Sequence, residues 1–396
     1  MLNTTIEEAF EINPTITIKR DAEVPFVSMD RLTPGQRDVD AGEIRQFRSG
    51  SKFAAGDTLM ARITPCLENK KIARYLPNDN FNKIAAGSTE FIVLRGKPGI
   101  TTTEFSYYFA ITPTIHETAI ALMTGTSGRQ RVDMTAFRAQ EVEIPKLAEQ
   151  RKITDLLGAL DDKISTNVRI INATESLVDV LYSRVIKTPT EQSFAEVAQV
   201  FGGSTPSTKN DAFWDGDINW ATPTDITALD GPWIGDTSRK ITKAGLASMS
   251  SSLHPENSIL MTSRATIGAI ALASGPIATN QGFIVVEAPD ELTPWLFAQM
   301  KARKHEFEAW ANGATFMELS RGNFKKLPFI GCSDDDLQAF NDAAWPLLKR
   351  AQAAQKENQV LARTRDELLP LLMSGRITVG EAEEAADVAG TAASES

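Results

Sequence analysis

The chain has 396 residues, enough for two or three domains, and its 42% hydrophobic and 23% charged residues are typical of a globular protein. Two cysteines and no apolar run of membrane-spanning length argue against a disulfide-stabilised secreted protein and against a membrane partner, and they favour a cytoplasmic chain. The net charge of −10 argues at first against nucleic acid, but residues 381–396 hold five acids and no base, so a weakly acidic body remains that can carry local basic surfaces.

The first 145 residues combine short strands with short helices. Apolar runs bounded by turn residues predict strands at 24–27, 58–61, 91–94 and 141–144. Thr103 is predicted to cap a helix that carries Phe105, Tyr108 and Phe109 on one face. This mixture is typical of an α/β or α+β domain.

A long helix is predicted next, over residues 147–186, beginning after Pro145. Its apolar residues recur at the spacing that places side chains on one stripe of an α-helix. The stripe consists of Ile153, Leu156, Leu157, Leu160 and Ile164, and it continues at Leu181. We therefore expect this stripe to pack against another helix.

The second half of the chain repeats the first. Phe340, Ala343, Ala344, Leu347 and Ala351 lie 187 positions after the first stripe, and Leu368 lies 187 positions after Leu181. Upstream, Leu59-Met60 matches Leu260-Met261 and Phe91-Ile92-Val93 matches Phe283-Ile284-Val285, at separations of 201 and 192. The common order predicts a tandem duplication of a globular domain followed by a long helix.

The constant separation within the helices has two possible explanations. Helix length could be kept as a ruler of about 60 Å for about 40 residues. Alternatively, both helices merely bury a core stripe that tolerates few insertions. The second helix is predicted to begin at Ser333, in a capping box with Asp336. Pro346 is predicted to kink the helix or restart it.

Catalytic motifs are missing from the sequence. Phe201-Gly202-Gly203-Ser204 lacks the Lys-Ser/Thr of a phosphate-binding loop. There is no Asn/Asp-Pro-Pro-aromatic tetrapeptide of an amino-methyltransferase, no nuclease cluster of acids, and no histidine pair at metal-ligand spacing. The sequence therefore predicts a non-catalytic chain with no metal site.

Basic and amide side chains in loops of both halves are candidates for DNA contact, because these groups bind phosphates and base edges. In the first half they are Arg62, Lys70, Lys71, Arg129 and Arg131. In the second half they are Lys209, Arg264, Asn280, Gln281, Arg321 and Lys325. Each could also be a solvated loop residue. Their comparable placement in the two copies favours a duplicated reader of a split DNA site.

Several motifs of the second half resemble a known family. They are Phe201-Gly-Gly-Ser-Thr-Pro-Ser-Thr-Lys-Asn210, Phe213-Trp-Asp-Gly-Asp-Ile-Asn-Trp220, Thr222-Pro-Thr-Asp-Ile226, Met261-Thr-Ser-Arg-Ala-Thr-Ile-Gly268 and Ala278-Thr-Asn-Gln-Gly-Phe283. Together they closely resemble a target-recognition domain of the specificity subunit of type I restriction–modification systems. Pro145-Lys-Leu-Ala-Glu-Gln150 resembles the opening of that family's long helix. The second helix lacks this opening, and the sequence of the first domain departs further from the family's motifs.

The resemblance implies two target-recognition domains of mixed strands and helices, joined by two long helices packed as an antiparallel coiled coil. The segments implied are recognition domains at 1–145 and 189–331, spacer helices at 146–188 and 332–375, and a disordered acidic tail at 376–396.

The same resemblance implies a non-catalytic, DNA-binding subunit without its own cofactor. Each domain would read half of a bipartite site in double-stranded DNA. Two methyltransferase subunits would dock on the helices, and restriction/translocase subunits would join them. S-adenosylmethionine, ATP and Mg would be bound by those partners.

A protein–protein scaffold that does not read DNA is the alternative, and the acidic pI favours it slightly.

Overall fold

The computed structural model describes residues 1–77, 83–126, 128–264, 266–311, 317–382 and 384. The chain forms two compact units, residues 1–165 with 359–396 and residues 166–358. The division runs through both long helices, so each unit contains part of each helix.

The first unit is built from short strands and helices before the first long helix. Its strands are β1 (Leu2–Thr5), β2 (Phe10–Ile12), β3 (Glu23–Val27), β4 (Asp38–Val39), β5 (Glu43–Gln46), β6 (Ser51–Ala54), β7 (Thr58–Ala61), β8 (Ile72–Tyr75), β9 (Ile84–Gly87), β10 (Phe91–Gly96), β11 (Met123–Thr124), β12 (Arg131–Val132) and β13 (Glu141–Ile144). Its helices are α1 (Ile6–Ala9), α2 (Thr103–Ile111), α3 (Pro113–Ala121), α4 (Met134–Ala139) and the start of α5 (Leu147–Arg184).

The second unit repeats this plan. Its strands are β14 (Thr188–Ser193), β15 (Gln199–Gly202), β16 (Trp214–Ala221), β17 (Trp233–Ile234), β18 (Lys240–Ile241), β19 (Ile259–Thr262), β20 (Ile270–Ala273), β21 (Ala278–Thr279), β22 (Phe283–Glu287) and β23 (Pro328–Gly331). Its helices are α6 (Phe194–Val197), α7 (Pro223–Thr227), α8 (Lys243–Ala247), α9 (Thr293–Ala302), α10 (Lys304–Ala309), α11 (Arg321–Lys326) and the start of α12 (Asp334–Met373).

The five-stranded sheets of the two units correspond strand by strand. A five-stranded sheet has the order β2-β10-β7-β8-β4 in the first unit and β15-β22-β19-β20-β17 in the second. The first and last strands of each globular part, in chain order, also pair, β1 with β13 and β14 with β23. The structure therefore confirms two tandem domains of mixed strands and helices.

The core of each unit lies where an aromatic helix covers the five-stranded sheet. In the first unit, α2 buries Phe105 and Phe109 against Phe10 of β2. In the second unit, α9 buries Trp295 and Phe297. The central strands β10 and β22 are buried on both faces, which is why their sequences are continuous apolar runs rather than alternating ones.

The two long helices pack together in both units, and the order of their contacts is antiparallel. In the first unit, Ile153 and Leu157 near the start of α5 share a core with Leu368 near the end of α12. In the second unit, Tyr182 near the end of α5 contacts Phe340 near the start of α12. The expected antiparallel pair of helices is therefore confirmed.

The remaining residues of the predicted stripes are only half-buried. Those near the start of α5 pack in the first unit, and those near its end or near the start of α12 pack in the second. Leu156 and Leu160 pack against the core of the first unit. Leu181 and Leu347 pack against the core of the second unit. Ile164 is also half-buried.

The ends of the two long helices differ slightly from the predicted ends, and Pro346 does not interrupt the second helix. The first helix ends at Arg184, two residues before the predicted end. The second begins at Asp334, and the amide of Asp336 donates to Ser333 Oγ at 3.2 Å, as the capping pattern predicted. It continues without interruption through Pro346, so the predicted restart is wrong. Packing on both sides of Pro346, at Ala344 and Leu348, holds this segment helical despite the missing N–H.

The expected apolar stripe is interrupted by buried polar groups. In the first unit, Arg365 donates to Asp161 at 2.7 Å, and Tyr108 donates to the other carboxylate oxygen at 2.7 Å. In the second unit, the side-chain amide of Asn167 donates to Asn358 at 3.0 Å. Because charged residues at helical spacing usually indicate a solvated face, the sequence pattern could not predict these positions as interior ones.

The duplication replaces this ion pair by apolar residues in the second unit. Counting 187 positions along the repeat, Asp161 corresponds to Leu348 and Arg365 to Val178. Leu348 and Val178 are both buried in the core of the second unit. The same position in the two units is therefore ionic in one and apolar in the other.

Two other expectations need correction. Thr102, not Thr103, caps α2, because Thr102 Oγ1 accepts from the amide of Phe105 at 3.1 Å. The start of the presumed disordered tail is also ordered: Ala382 is buried, and Ile377 and Val379 pack against the core of the first unit. Apolar side chains at 377, 379 and 382 explain this order. The rest of the tail, 385–396, lies outside the described residues.

Candidate nucleic-acid interface

In the second unit, the segments that carry the family motifs converge. The amide of Ser204 donates to Thr279 O at 2.9 Å, and Thr205 Oγ1 donates to the side chain of Gln281. The amide of Ser263 donates to Gly282 O at 2.8 Å. Segments far apart in the sequence therefore form one polar surface.

The two glycines of the motif at 201–204 have different roles. A Cβ on Gly203 would lie 2.0 Å from the carbonyl oxygen of Asn280, so only glycine allows this approach of two backbone segments. A Cβ on Gly202 would lie 3.5 Å from the guanidinium of Arg321, which is ordinary contact. Gly203 thus allows its own loop to contact the backbone at Thr279 and Asn280. Gly202, at the end of β15, lies beside Arg321.

An arginine stack supports the loop that follows these glycines. The guanidinium of Arg239 lies 3.6 Å from the ring centroid of Trp214 and 5.8 Å from that of Trp220. The indole N–H groups donate to the loop, Trp220 to Ser204 O at 3.1 Å and Trp214 to Ser207 O at 3.2 Å. These tryptophans fix the loop that leads to Lys209.

Arg264 lies two residues after the end of β19 and pairs with an acid. Its backbone forms an antiparallel bridge with Glu318, and its Nε lies 2.9 Å from Glu318 Oε1. The arginine side chain remains 45% exposed, so its guanidinium reaches solvent although it is paired.

The first unit contains a corresponding pair. Arg131 donates from Nε and Nη2 to Glu90, with a shortest distance of 2.7 Å, and its side chain is also 45% exposed. Arg62 lies beside it, with Nε 3.9 Å from Glu90. The hydrogen bonds from Arg131 hold the pKa of the Glu90 carboxyl below its ordinary value, against the opposing effect of burial. Glu90 therefore stays ionised at neutral pH and keeps this arrangement.

The backbone around the two pairs is the same. In the first unit, the amide of Arg62 donates to Glu90 O at 3.0 Å and its carbonyl accepts from Val132 at 2.9 Å. In the second unit, the amide of Ser263 donates to Gly282 O at 2.8 Å and its carbonyl accepts from Leu319 at 3.0 Å. The bridge Ile63–Arg131 likewise corresponds to Arg264–Glu318. The duplicated fold thus presents an exposed arginine on equivalent scaffolds.

The other predicted residues are not all brought to these surfaces. Lys71 donates to Met29 O at 2.9 Å within its own unit, and Lys70 lines a separate cavity with Tyr107 and Arg365. Arg129 and Lys209 are exposed in loops, and Lys325 is half-buried in the last turn of α11. Asn280 uses its side-chain oxygen to accept from the amide of Gly282 at 2.8 Å, so that oxygen helps to shape the loop.

Three residues with apparent roles were missed by sequence reasoning: Glu90, Glu318 and Arg239. Basic and amide groups were the candidates for DNA contact, which excludes the two acids, and Arg239 lies outside the motifs of the second half. One signal was available, because Arg131 and Glu318 occupy matching positions 187 apart and have opposite charge.

The described part of the chain holds no group of three or more His, Cys, Asp or Glu residues arranged to hold a metal ion. Among the same residues, no helix combines the length and apolarity needed to cross a bilayer.

A family model for the type I restriction modification DNA specificity domain matches the chain twice, at residues 41–176 and 190–330. The two matches together cover more than half of the chain and fall on its two repeats.

Curated relatives include specificity subunits of type I restriction enzymes. The MjaIX subunit of Methanocaldococcus jannaschii is 32% identical over 177 residues, 44% of this chain and 41% of that protein. The EcoAI subunit of Escherichia coli is 28% identical over 202 residues, 49% of this chain and 34% of that protein. These two matches thus span less than half of each relative. The HindI subunit of Haemophilus influenzae is 22% identical over 404 residues, 81% of this chain and 86% of that protein.

A solved structure shares the fold. The crystal structure of the S subunit of a type I restriction-modification system from M. genitalium superposes with a TM-score of 0.57 at 14% identity, covering 94% of this chain and 96% of that one. The repeated match of the family model, on two units with the same sheet order, establishes the family. The chain belongs to the family of type I restriction modification DNA specificity domains.

Proposed function

We propose that this chain is the DNA-recognition subunit of a type I restriction–modification complex. The domains at 1–145 and 189–331 each read one half of a bipartite site in double-stranded DNA. The observation that carries this proposal is the repeated scaffold, which holds an exposed arginine, Arg131 or Arg264, at the same backbone bridge. Guanidinium groups at such positions suit base edges and phosphates.

The surface around each arginine supplies further polar groups. In the second unit, Arg321, Gln281 and the Asn280 amide surround the loop at 202–205. In the first unit, Arg62 supplies a second guanidinium beside Arg131. The remaining candidates make more peripheral contacts with the phosphate backbone, and the contribution of such contacts to binding is electrostatic and independent of sequence. These candidates are Lys70, Lys71, Arg129, Lys209 and Lys325.

The long helices serve as the spacer between half-sites and as the docking surface for two methyltransferase subunits. Leu177 and Val180, three positions apart on α5, are 46% and 42% exposed, and three positions is the spacing of neighbours on one helix face. These two side chains give a docking subunit apolar surface to cover on this face of α5. Restriction/translocase subunits then join the methyltransferases, and S-adenosylmethionine, ATP and Mg bind to those partners.

The decisive experiment assembles the chain with its methyltransferase partner. Methylome sequencing of the host identifies a split, methylated motif, and electrophoretic binding compares duplexes that contain the motif with scrambled duplexes. We expect a strong preference for the motif and an affinity that falls steeply with salt, because phosphate contacts release counterions. Equal binding to both duplexes would instead favour the protein–protein scaffold.

A further inference from the structure

In both units, the Nε atom of the exposed arginine lies close to a carboxylate oxygen of its acid. Arg131 Nε lies 3.0 Å from both carboxylate oxygens of Glu90, and Nη2 lies 2.7 Å from one of them. Arg264 Nε lies 2.9 Å from Glu318 Oε1. The carboxylate thus approaches from the side of the side-chain stem.

This geometry leaves the other edge of the group for a ligand. A guanidinium carries five N–H donors in a rigid plane, and its terminal edge, formed by Nη1 and Nη2, can make a second bidentate contact. Among the described residues, none accepts a hydrogen bond from Nη1 of Arg131. An arginine held in this way is oriented but still able to bind.

The two units reach this arrangement with different residues. At the bridge, the first unit has Arg131 where the second has Glu318, and Ile63 where the second has Arg264. The acid of the first unit, Glu90, comes instead from the segment before β10. Exposed ion pairs contribute little to stability, so folding alone does not account for a pair at this bridge in both copies.

We propose that Glu90 and Glu318 are specificity-determining positioning residues. Each orients its arginine so that the terminal guanidinium edge donates two hydrogen bonds to the O6 and N7 atoms of a guanine in the major groove. The inference rests on the proposed function, because it concerns how each half-site is read. The acids do not touch the base.

The proposal predicts opposite effects on specificity and on general affinity. Replacing the acid by its amide removes a negative charge that repels DNA, so binding to unrelated duplexes strengthens. It also weakens the orientation of the arginine, so discrimination at one guanine falls by about tenfold. A merely structural role would not separate these two readouts.

The test uses the complex with methyltransferase subunits and selects bound duplexes from a random library. The variants are Glu318→Gln and Glu90→Gln. The matched control is Glu308→Gln, which removes the same charge from an exposed pair with Lys304 at 4.0 Å. Thermal melting checks that each variant remains folded.

We expect Glu318→Gln to lose one guanine preference in one half-site only, and Glu90→Gln to lose one in the other half-site only. Glu308→Gln should change neither. If the wild-type complex selects a bipartite motif and both acid variants keep its preferences, the positioning role is overturned and the DNA-reading function stands. If the wild-type complex selects no motif, both fail together.

Discussion

A single substitution at Arg264 should have the most direct effect on which DNA sequence the protein prefers. The Arg264 side chain is 45% exposed and forms an ion pair with Glu318, which we propose orients it. Charge, exposure and orientation therefore act together at this position. A change that preserves only the charge should separate affinity from specificity.

We expect Arg264→Ala to weaken binding to the specific site by about 1–3 kcal/mol, the value of a good bidentate base contact. Arg264→Lys keeps the charge but lacks the planar fork, so it should retain binding to scrambled duplexes and lose discrimination. Titrations of motif and scrambled duplexes at two salt concentrations measure both effects. An unchanged site preference in both variants would contradict this assignment.

Asp38 predicts a pH dependence of stability in the first unit. Burial raises the pKa of its carboxyl, but hydrogen bonds from Arg37 at 2.7 Å and Arg74 at 2.7 Å outweigh burial and hold the pKa below the ordinary value. A carboxyl with a lowered pKa in the folded state stabilises it above the unfolded pKa, and this stabilisation is lost as the pH falls through the folded pKa.

Asp38→Asn should therefore lower the melting temperature at pH 7. The difference from the wild type should shrink as the pH falls below 3.8, the ordinary value for an aspartate. Glu149→Gln, in an exposed pair with Lys152, is the control and should show little difference at any pH. A difference for Asp38→Asn that stays constant with pH would rule out this linkage.

At the scale of elements, the arrangement of the loops in the second unit depends on the close backbone contact at Gly203. The stability of the paired helices depends on the side chains that are buried between them. The paired helices are a duplicated feature, and their interior holds an ion pair in the first unit and apolar residues in the second. The differences supply matched variants that the chain itself suggests.

Gly203→Ala places a methyl group 2.0 Å from the carbonyl oxygen of Asn280, so the loops must separate. We expect the half-site read by the second unit to be lost from the selected motif, while the other half-site remains. Gly202→Ala, with 3.5 Å to the nearest atom, is the control and should keep both half-sites. Equal effects of the two substitutions would show that the backbone contact is not required for reading.

The ion pair between Asp161 and Arg365 is buried, with the side chains 2% and 4% exposed. Asp161→Leu alone leaves Arg365 without this partner and should cost about 3–5 kcal/mol, as expected when one member of a buried pair is removed. Combining Asp161→Leu with Arg365→Val and Tyr108→Phe copies the apolar pair of the second unit and should recover most of that loss. Chemical denaturation measures both. A triple variant as unstable as the single one would show that the surroundings cannot accept an apolar pair.

At the scale of the whole molecule, the chain holds two globular domains and two long helices of nearly equal length, 38 and 40 residues. If these helices set the gap, removing one heptad from each shortens them by about 10 Å. This corresponds to about three base pairs at 3.4 Å per base pair.

We therefore expect methylome sequencing of a host carrying the shortened subunit to show the same half-sites with a gap reduced by about three base pairs. Substituting seven residues by alanine without deletion is the control for altered helix surfaces. An unchanged gap after the deletion would mean that the helices bury a core stripe but are not a ruler.

The sequence by itself determined the duplication, the positions of the long helices and four strands of the first unit, β3, β7, β10 and β13. These features depend on local periodicity, on capping residues and on the register between two copies, all of which are visible in one chain. Strands β7 and β13 lie where they were predicted, because Gly56 and Asp57 mark the start of β7 and Pro145 marks the end of β13.

Only the tertiary structure decided which polar residues act together. Glu90 and Arg131 are 41 positions apart, and Arg264 and Glu318 are 54 apart, so their pairing depends on which strands lie side by side. The burial of Asp161 and Arg365, and the helix that continues through Pro346, likewise depend on packing that local propensity does not encode. Side-chain orientation is a property of the assembled fold, because partners distant in sequence fix it.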